Sequence, residues 1–458
     1  MTSKVPSYLS FNPTNTNTSM ADLSLYILTF NCGLSPIDVD AFASQLFSGL
    51  TTPTLPDLLV LSLQELAPIP YGLIGGSFLV PYFSKFYHAV QKGARKASGA
   101  TDNAPIYTPI SARNVGITGI IVFAKDPEAI QDIETAGVGV GMSEMGNKGA
   151  VGVRFTYRDK GSSTELTFVS AHLAAMEDEV LRRNEDWKNI VRGLVFSSTT
   201  ADRKQNAASL PGEQRPLLSI SPHDASIYKP TSHLFVAGDL NYRTSTIKPS
   251  PTDHLETFPQ PHHDPSSEQH HSTLFLSDQL NHERHAGRTL HGLTEAKVTF
   301  PPTYKYNLEE PYLKSDEELS AWHWAKHRWP SWCDRILYLD IPTWLSSSKP
   351  GLKIIPHKYS ALPLQPTTDH RAVALEVSVP LVPIPAPSED EEGDDPRLHP
   401  PFEINIDWKS KRDRARMFEL VVGYSMYLTT TWEGRGLVMA MVVGSVGAYF
   451  VIRALLEM

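Results

Sequence analysis

Cysteine is nearly absent. Cys32 and Cys333 are the only two in 458 residues, which rules out a disulfide framework and fits a reducing compartment. No apolar segment opens the chain. The first twenty residues are polar and rich in Ser, Thr and Asn, so no secretory signal is expected and residues 1–21 read as a disordered lead. Basic charge is short, with 41 Lys and Arg against 50 Asp and Glu, a net −9 and a pI near 6.0. That disfavours a general nucleic-acid binder, which needs a broad basic face, but leaves room for a small basic pocket. Glycine is sparse, at 28 beside 36 prolines, which suggests rigid connections rather than a low-complexity chain. There is no internal repeat, no HExxH helix and no thiolate cluster to hold zinc.

What is present reads as an ordinary globular composition, 41% hydrophobic and 20% charged. The runs SLYILTFN, DLLVLSLQE, ITGIIVFAK, GAVGVRFTY, LTFVSAHL, HLFVAGDLN, RILYLDI and AVALEVSV are each strand-like. Several are apolar on both faces, as strands buried beneath helices are. Helical spacing appears in AFASQLFSGL and in EDEVLRRNEDWKNIVRGLVF. The expected fold is α/β (α+β), a four-layer sandwich of two packed mixed β-sheets flanked by helices.

Residues 197–230 and 247–272 are polar, rich in Pro and Ser, and read as surface insertions. The second holds His262, His263, His270 and His271, without the Cys or carboxylate spacing of a metal site. Residues 22–380 are expected to form the catalytic domain. After it, 381–408 reads as a Pro-rich and acidic linker, 409–433 as a basic juxtamembrane segment and 434–456 as a transmembrane helix.

Polar residues recur where the strands end. Asn31 ends ILTFN, Gln64 and Glu65 end LVLSLQE, and His172 ends FVSAH; Asp239 and Asn241 end FVAGDLN, and Asp369 and His370 precede the last strand. One carboxylate after a strand is usually a turn or helix cap. Several together differ, because strand ends on one edge of a sheet converge. Glu, Asn and Asp oxygens suit a hard cation such as Mg²⁺. The run GVGVGMSEMGNKG lacks the GK[ST] ending of a nucleotide triphosphatase loop, and neither cysteine sits in a nucleophile loop. Metal-assisted attack of water on phosphorus is the chemistry left.

The set TFNCG, LSLQEL, GNKGAVGVRF, SAHLAAMEDEVLRRNEDW, VAGDLNYR, FPPTYKY, SWCDRILY and TTDHRAV resembles the inositol polyphosphate 5-phosphatase family of the endonuclease/exonuclease/phosphatase superfamily, over roughly residues 22–380. LQE, GDLN and DHR are shared across that superfamily. GNKGAV, PPTYKY and WCDRIL together with GDLNYR are specific to the phosphatases. The resemblance implies that Glu65 binds Mg²⁺ with help from Asn31, and that Asp239 orients or deprotonates the attacking water. Asn241 would donate to the phosphoryl group. His172 and His370 would stabilise its charge, with Asp369 holding His370 in orientation. Lys148, Tyr304 and Lys305 would grip the neighbouring ring phosphate, and Arg183 and Arg335 would make further phosphate contacts. Plainer readings stand beside these, with Asn147 making the turn of GNKG and Asp334 with Arg335 forming a structural ion pair. Met176 stands where the family usually has a second histidine, so any role of that histidine is lost here.

The expected function is Mg²⁺-dependent removal of the 5-phosphate of phosphatidylinositol 4,5-bisphosphate, with a lipid and a membrane as partners and no nucleic acid. A diester-cleaving superfamily enzyme and a non-enzymatic membrane tether are the alternatives. Leu437 to Ile452 is an uncharged run equal to about 24 Å of helix. It falls slightly short of the roughly 27 Å hydrocarbon core of the endoplasmic reticulum. Arg435 and Arg453 flank it, and Lys409, Lys411, Arg412, Arg414 and Arg416 lie upstream. The expectation is a single-pass tail anchor in the endoplasmic reticulum membrane, with the catalytic domain in the cytosol.

Overall fold

A computed structural model describes residues 22–102, 104–198, 222–308 and 312–457. Two mixed sheets pack face to face. The first has the order β12 (Ile355–Ala361), β13 (Val373–Pro380), β1 (Asp22–Asn31), β2 (Leu58–Gln64), β4 (Thr118–Ala124), β3 (Thr108–Val115). The second has the order β10 (Leu293–Glu295), β11 (Asp334–Leu339), β9 (Ser232–Asp239), β7 (Ser162–His172), β6 (Gly149–Asp159), β5 (Ile130–Gly139), β8 (Ser197–Ser198). Each sheet contains one parallel pair, β1 with β2 and β7 with β9.

Strand period explains why the central runs are apolar throughout. In β1, Leu25 and Ile27 point into the space between the sheets, while Tyr26, Leu28 and Phe30 point outward. The inner layer joins them to Val153, Phe155, Phe168 and Ile336 of the second sheet. The outer face of the first sheet is covered by α1 (Val39–Gln45) and α3 (Val80–Ser98), through Phe42, Phe86 and Val90. The outer face of the second is covered by α4 (Val180–Gly193), through Trp187, Ile190 and Val191. Fully burying one such side chain contributes about 1.5–3 kcal/mol. The four-layer sandwich is the fold expected.

A polar staple crosses the inner layer. Ser62 donates to Ser170 at 2.8 Å and lies 2.9 Å from the carbonyl of Ala237, and Gln64 donates to Ser62 at 2.9 Å. Buried polar groups need such partners, and these fix β2 against β7 and β9 near the ends that carry the strand-end polar residues.

The segments that follow the sandwich are packed more closely than their composition suggests. The 381–408 segment is no free spacer: Val382 and Ile384 are buried against Trp344 and Leu345, and Arg397 is buried on Asp395 and the carbonyl of Asp340. The basic 409–433 segment is mostly one helix, here α5 (Trp408–Thr430), which packs on the short α2 (Ile69–Ile74). Three of its five upstream cations bind acids of the protein itself, Lys411 to Glu144 and both Arg412 and Arg416 to Glu419. Next comes α6 (Trp432–Leu456), one helix long and apolar enough to cross a membrane. Residues 247–272 form turns and short helical pieces, mostly exposed but with Phe258 buried against Trp324, whereas 199–221 of the other insertion lie outside the described residues.

Candidate active site

Register brings the strand-end residues together. On the second sheet Gly149 pairs with His172, His172 with Asp239, and Asp239 with Asp334. Four adjacent strands therefore present one row at one rim. On the first sheet Asn31 pairs with Gln64, and Glu65 follows it.

Asp239 is the hub. Asn31 Nδ2 donates to its Oδ2 at 2.9 Å, His172 Nε2 lies 3.4 Å from the same oxygen, and the backbone N–H of Asn241 donates to Oδ1 at 3.1 Å. Burial alone would raise this carboxyl. The His172 hydrogen bond and the charges of His370, His172 and Lys148 instead hold it well below the usual carboxylate range. Lys148 contacts His172, and burial lowers the pKa of both. The Asn241 side chain donates to the carbonyl of Leu173 at 3.2 Å.

His370 is oriented by Asp334, not by Asp369. Its Nδ1 lies 2.9 Å from Asp334 Oδ2, which also accepts from Thr303 Oγ1 at 2.7 Å. Asp369 is 3.9 Å from His370 Nε2 and is instead bound by Lys305. Burial alone would lower His370, but the charge and hydrogen bond of Asp334 push it up to about 9. Burial pushes Asp334 itself up to about 6.

Arg183 and Arg335 do not reach the site. Arg183 is buried, donating to the carbonyls of Ala174 and Met176 and to Gln279. Arg335 is buried between Asp278, at 3.0 Å, and Glu295, at 2.6 Å, so its ion pair is not with Asp334. Both are tied up inside the fold. Arg243 was missed: its guanidinium lies 4.4 Å from the Tyr304 ring centroid and donates to Asn241 Oδ1 at 2.5 Å. Its place two residues after Asn241 in GDLNYR was the available signal. The Tyr304 ring is itself 4.5 Å from that of His370. Asn147 has a buried Oδ1 without a partner.

The residues for a metal fit a hard cation. The Glu65 carboxylate is half-buried, makes no hydrogen bond or ion pair among the described residues, and its charge reaches Cys32, Lys148 and His172. Asp239, Asp334 and His370 also bring one ligand atom each within 4.8 Å. There, however, the His370 nitrogen is already bonded to Asp334. The unpaired Glu65 beside Asn31 is the better cation position.

The chain is similar to several known proteins. Phosphatidylinositol 3,4,5-trisphosphate 5-phosphatase 1 of Xenopus laevis is 31% identical over 272 residues, 58% of this chain and 22% of that protein. A probable inositol polyphosphate 5-phosphatase of Schizosaccharomyces pombe is 27% identical over 395 residues, 82% of this chain and 29% of that protein. The chain spans less than a third of the length of either. The crystal structure of the inositol polyphosphate 5-phosphatase domain of SPSynaptojanin, in complex with inositol (1,4)-bisphosphate and calcium ion, shares the fold, with a TM-score of 0.54 at 20% identity; the match covers 90% of this chain and 94% of that one. Residues 28–376 match the family model described as Endonuclease/Exonuclease/phosphatase family 2. With Asn31, Glu65, His172, Asp239 and His370 all inside that match, the chain belongs to this family.

Proposed function

We propose that this protein is a Mg²⁺-dependent phosphatase that removes the 5-phosphate of phosphoinositides, phosphatidylinositol 4,5-bisphosphate above all. The observation that carries the reading is the single rim on which Asp239, His172, His370 and an unpaired Glu65 meet. The curated relatives named for 5-phosphatase activity support the same class. Glu65 and Asn31 would hold a hard cation, which when bound would supply charge neutralisation for the phosphoryl group. Asp239, kept anionic, orients the attacking water. His172 and His370 would face the charge that develops, and Arg243 holds Asn241 and Tyr304 in place. Lys148, Lys305 and Tyr304 would take the neighbouring ring phosphate, with Lys305 exchanging its Asp369 partner for it. The apolar α6, long enough to cross a membrane, supports an anchor, which we assign to the endoplasmic reticulum with the catalytic domain in the cytosol.

The test is a hydrolysis panel with Mg²⁺ on the 4,5-bisphosphate lipid, the lipid with only a 5-phosphate, and DNA. The 4,5-bisphosphate should be preferred. Lys305→Ala should damage its hydrolysis by about tenfold or more while sparing the 5-monophosphate. Glu65→Gln should cost several kcal/mol of transition-state stabilisation. DNA cleavage without phosphoinositide hydrolysis would instead identify a diester-cleaving member of the superfamily.

A further inference from the structure

Glu419 is a fully buried carboxylate on α5, a helix outside the sandwich. Its Oε1 accepts from the backbone N–H of Gly146 at 2.9 Å and from Arg412 at 2.7 Å; its Oε2 accepts from Arg416 at 3.0 Å. Burying an acid is costly unless every oxygen is met, and a helix that merely adhered would not need one.

Gly146 opens GNKG, two residues before Lys148. Its carbonyl accepts from Ile117 at 3.2 Å. A Cβ on it would lie 2.6 Å from the nitrogen of Gly116, so the backbone is packed tight on that side. Glu419 pins the other. The loop needs the brace, because Ser143 and Glu144 both hold left-handed backbone, φ 56° and 60°, that side chains disfavour. Lys411 adds a second tie by binding Glu144 at 2.8 Å. The same helix reaches the Glu65 segment: Arg416 donates to the carbonyls of Leu73 and Ile74 at the end of α2, which begins four residues after Glu65.

We propose that Glu419 is a positioning residue, through which α5 holds the 141–148 loop so that Lys148 meets the substrate phosphate. The inference rests on the phosphatase reading and deepens it, for it makes the segment between the sandwich and the apolar helix a working part of the substrate site.

The experiment uses the full chain in detergent, with soluble inositol 1,4,5-trisphosphate as substrate so that membrane geometry does not enter. Glu419→Asp keeps the charge for both arginines but withdraws the acceptor by one methylene. Glu419→Gln keeps an oxygen for Gly146 and loses the charge. The proposal expects Glu419→Asp to raise KM about tenfold with kcat within about threefold, and Glu419→Gln to keep KM within about threefold despite a larger fall in Tm. A purely structural role would make KM follow Tm, and that ordering overturns the proposal. Amide hydrogen exchange at Gly146 gives an activity-free reading, faster in Glu419→Asp than in the parent chain if the brace is real, and unchanged if it is not. Should the parent chain hydrolyse no inositol phosphate, the phosphatase reading falls while the exchange result still decides the brace.

Discussion

Two aspartates stand near His370, and they do different things. Asp369 is its chain neighbour in the bend before β13, yet its carboxylate is held by Lys305. Asp334 is 36 residues away and reaches Nδ1 because β11 pairs with β9 in the register that sets Asp334 opposite Asp239. Sequence adjacency favoured the wrong acid, since the deciding fact is a strand register that one chain does not display. Asp334→Asn should cut kcat at pH 7 by about 10²–10³. It should also draw the alkaline limb of the rate profile down from about 9, because the charge that raises His370 is gone. Stability should follow. His370 is raised in the folded state, so its contribution is complete below about pH 6.5 and is lost as pH climbs through about 9. The Tm of the parent chain should therefore fall over that window more than that of Asp334→Asn. If Asp369→Asn moves the alkaline limb and Asp334→Asn does not, the assignment is wrong.

At the scale of elements, legibility followed position in the sheet. The central strands β1, β2, β4, β7 and β9 bury nearly every residue, and their unbroken apolar runs announce them. The strands β3, β5 and β12 lie at or next to the sheet edges, carry Pro, Gly, Lys or Asp, and are only partly buried. Edge strands are built of such residues, so their sequences resemble loops. The long helix α3 was missed for another reason. Its buried face mixes the large Phe86 and Val90 with Ala89, Gln91, Gly93 and Ala94, so no continuous stripe of large apolar residues marks it. A Cβ on Gly93 would lie 2.9 Å from the Ala43 carbonyl oxygen, which is backbone and cannot step aside. Gly93→Val should accordingly destabilise by about 1–3 kcal/mol. Thermal melts should register the loss while KM stays unchanged, since α3 carries no residue placed at the site. A melt identical to the parent's would mean that α1 and α3 are looser than their packing implies.

For the whole molecule, the question is how the sandwich is joined to the apolar helix. The composition of 381–433 reads as a tether, because Pro-rich, acidic and basic stretches ordinarily stay solvated. Here the strap is pinned at Ile384 and Arg397, and α5 is locked onto α2. The joint to α6 is tight as well: Glu433 accepts from the Tyr71 hydroxyl at 3.1 Å, and Tyr427 packs edge-on against Tyr71 and Phe78. Gly434 sits where a Cβ would meet the Tyr427 carbonyl oxygen at 2.0 Å. The helix α6 that leaves this joint is 25 residues, about 37 Å, with Leu437, Val443, Val446 and Phe450 exposed. If it enters a bilayer, the catalytic rim is held at a set height and tilt over the lipid rather than swinging on a leash. A flexible Gly-Ser insert of about ten residues between Thr430 and Trp432 should therefore slow hydrolysis of lipid in vesicles while leaving the rate on a soluble inositol phosphate untouched. Ending the chain at Thr431 should release an enzyme that no longer sediments with membranes yet keeps the soluble rate, because α5 and its brace on Gly146 remain. Ending it near residue 400 should lose that rate too. Retention of the truncated chain on carbonate-washed membranes would refute the anchor, and equal vesicle rates with and without the insert would refute the rigid mount.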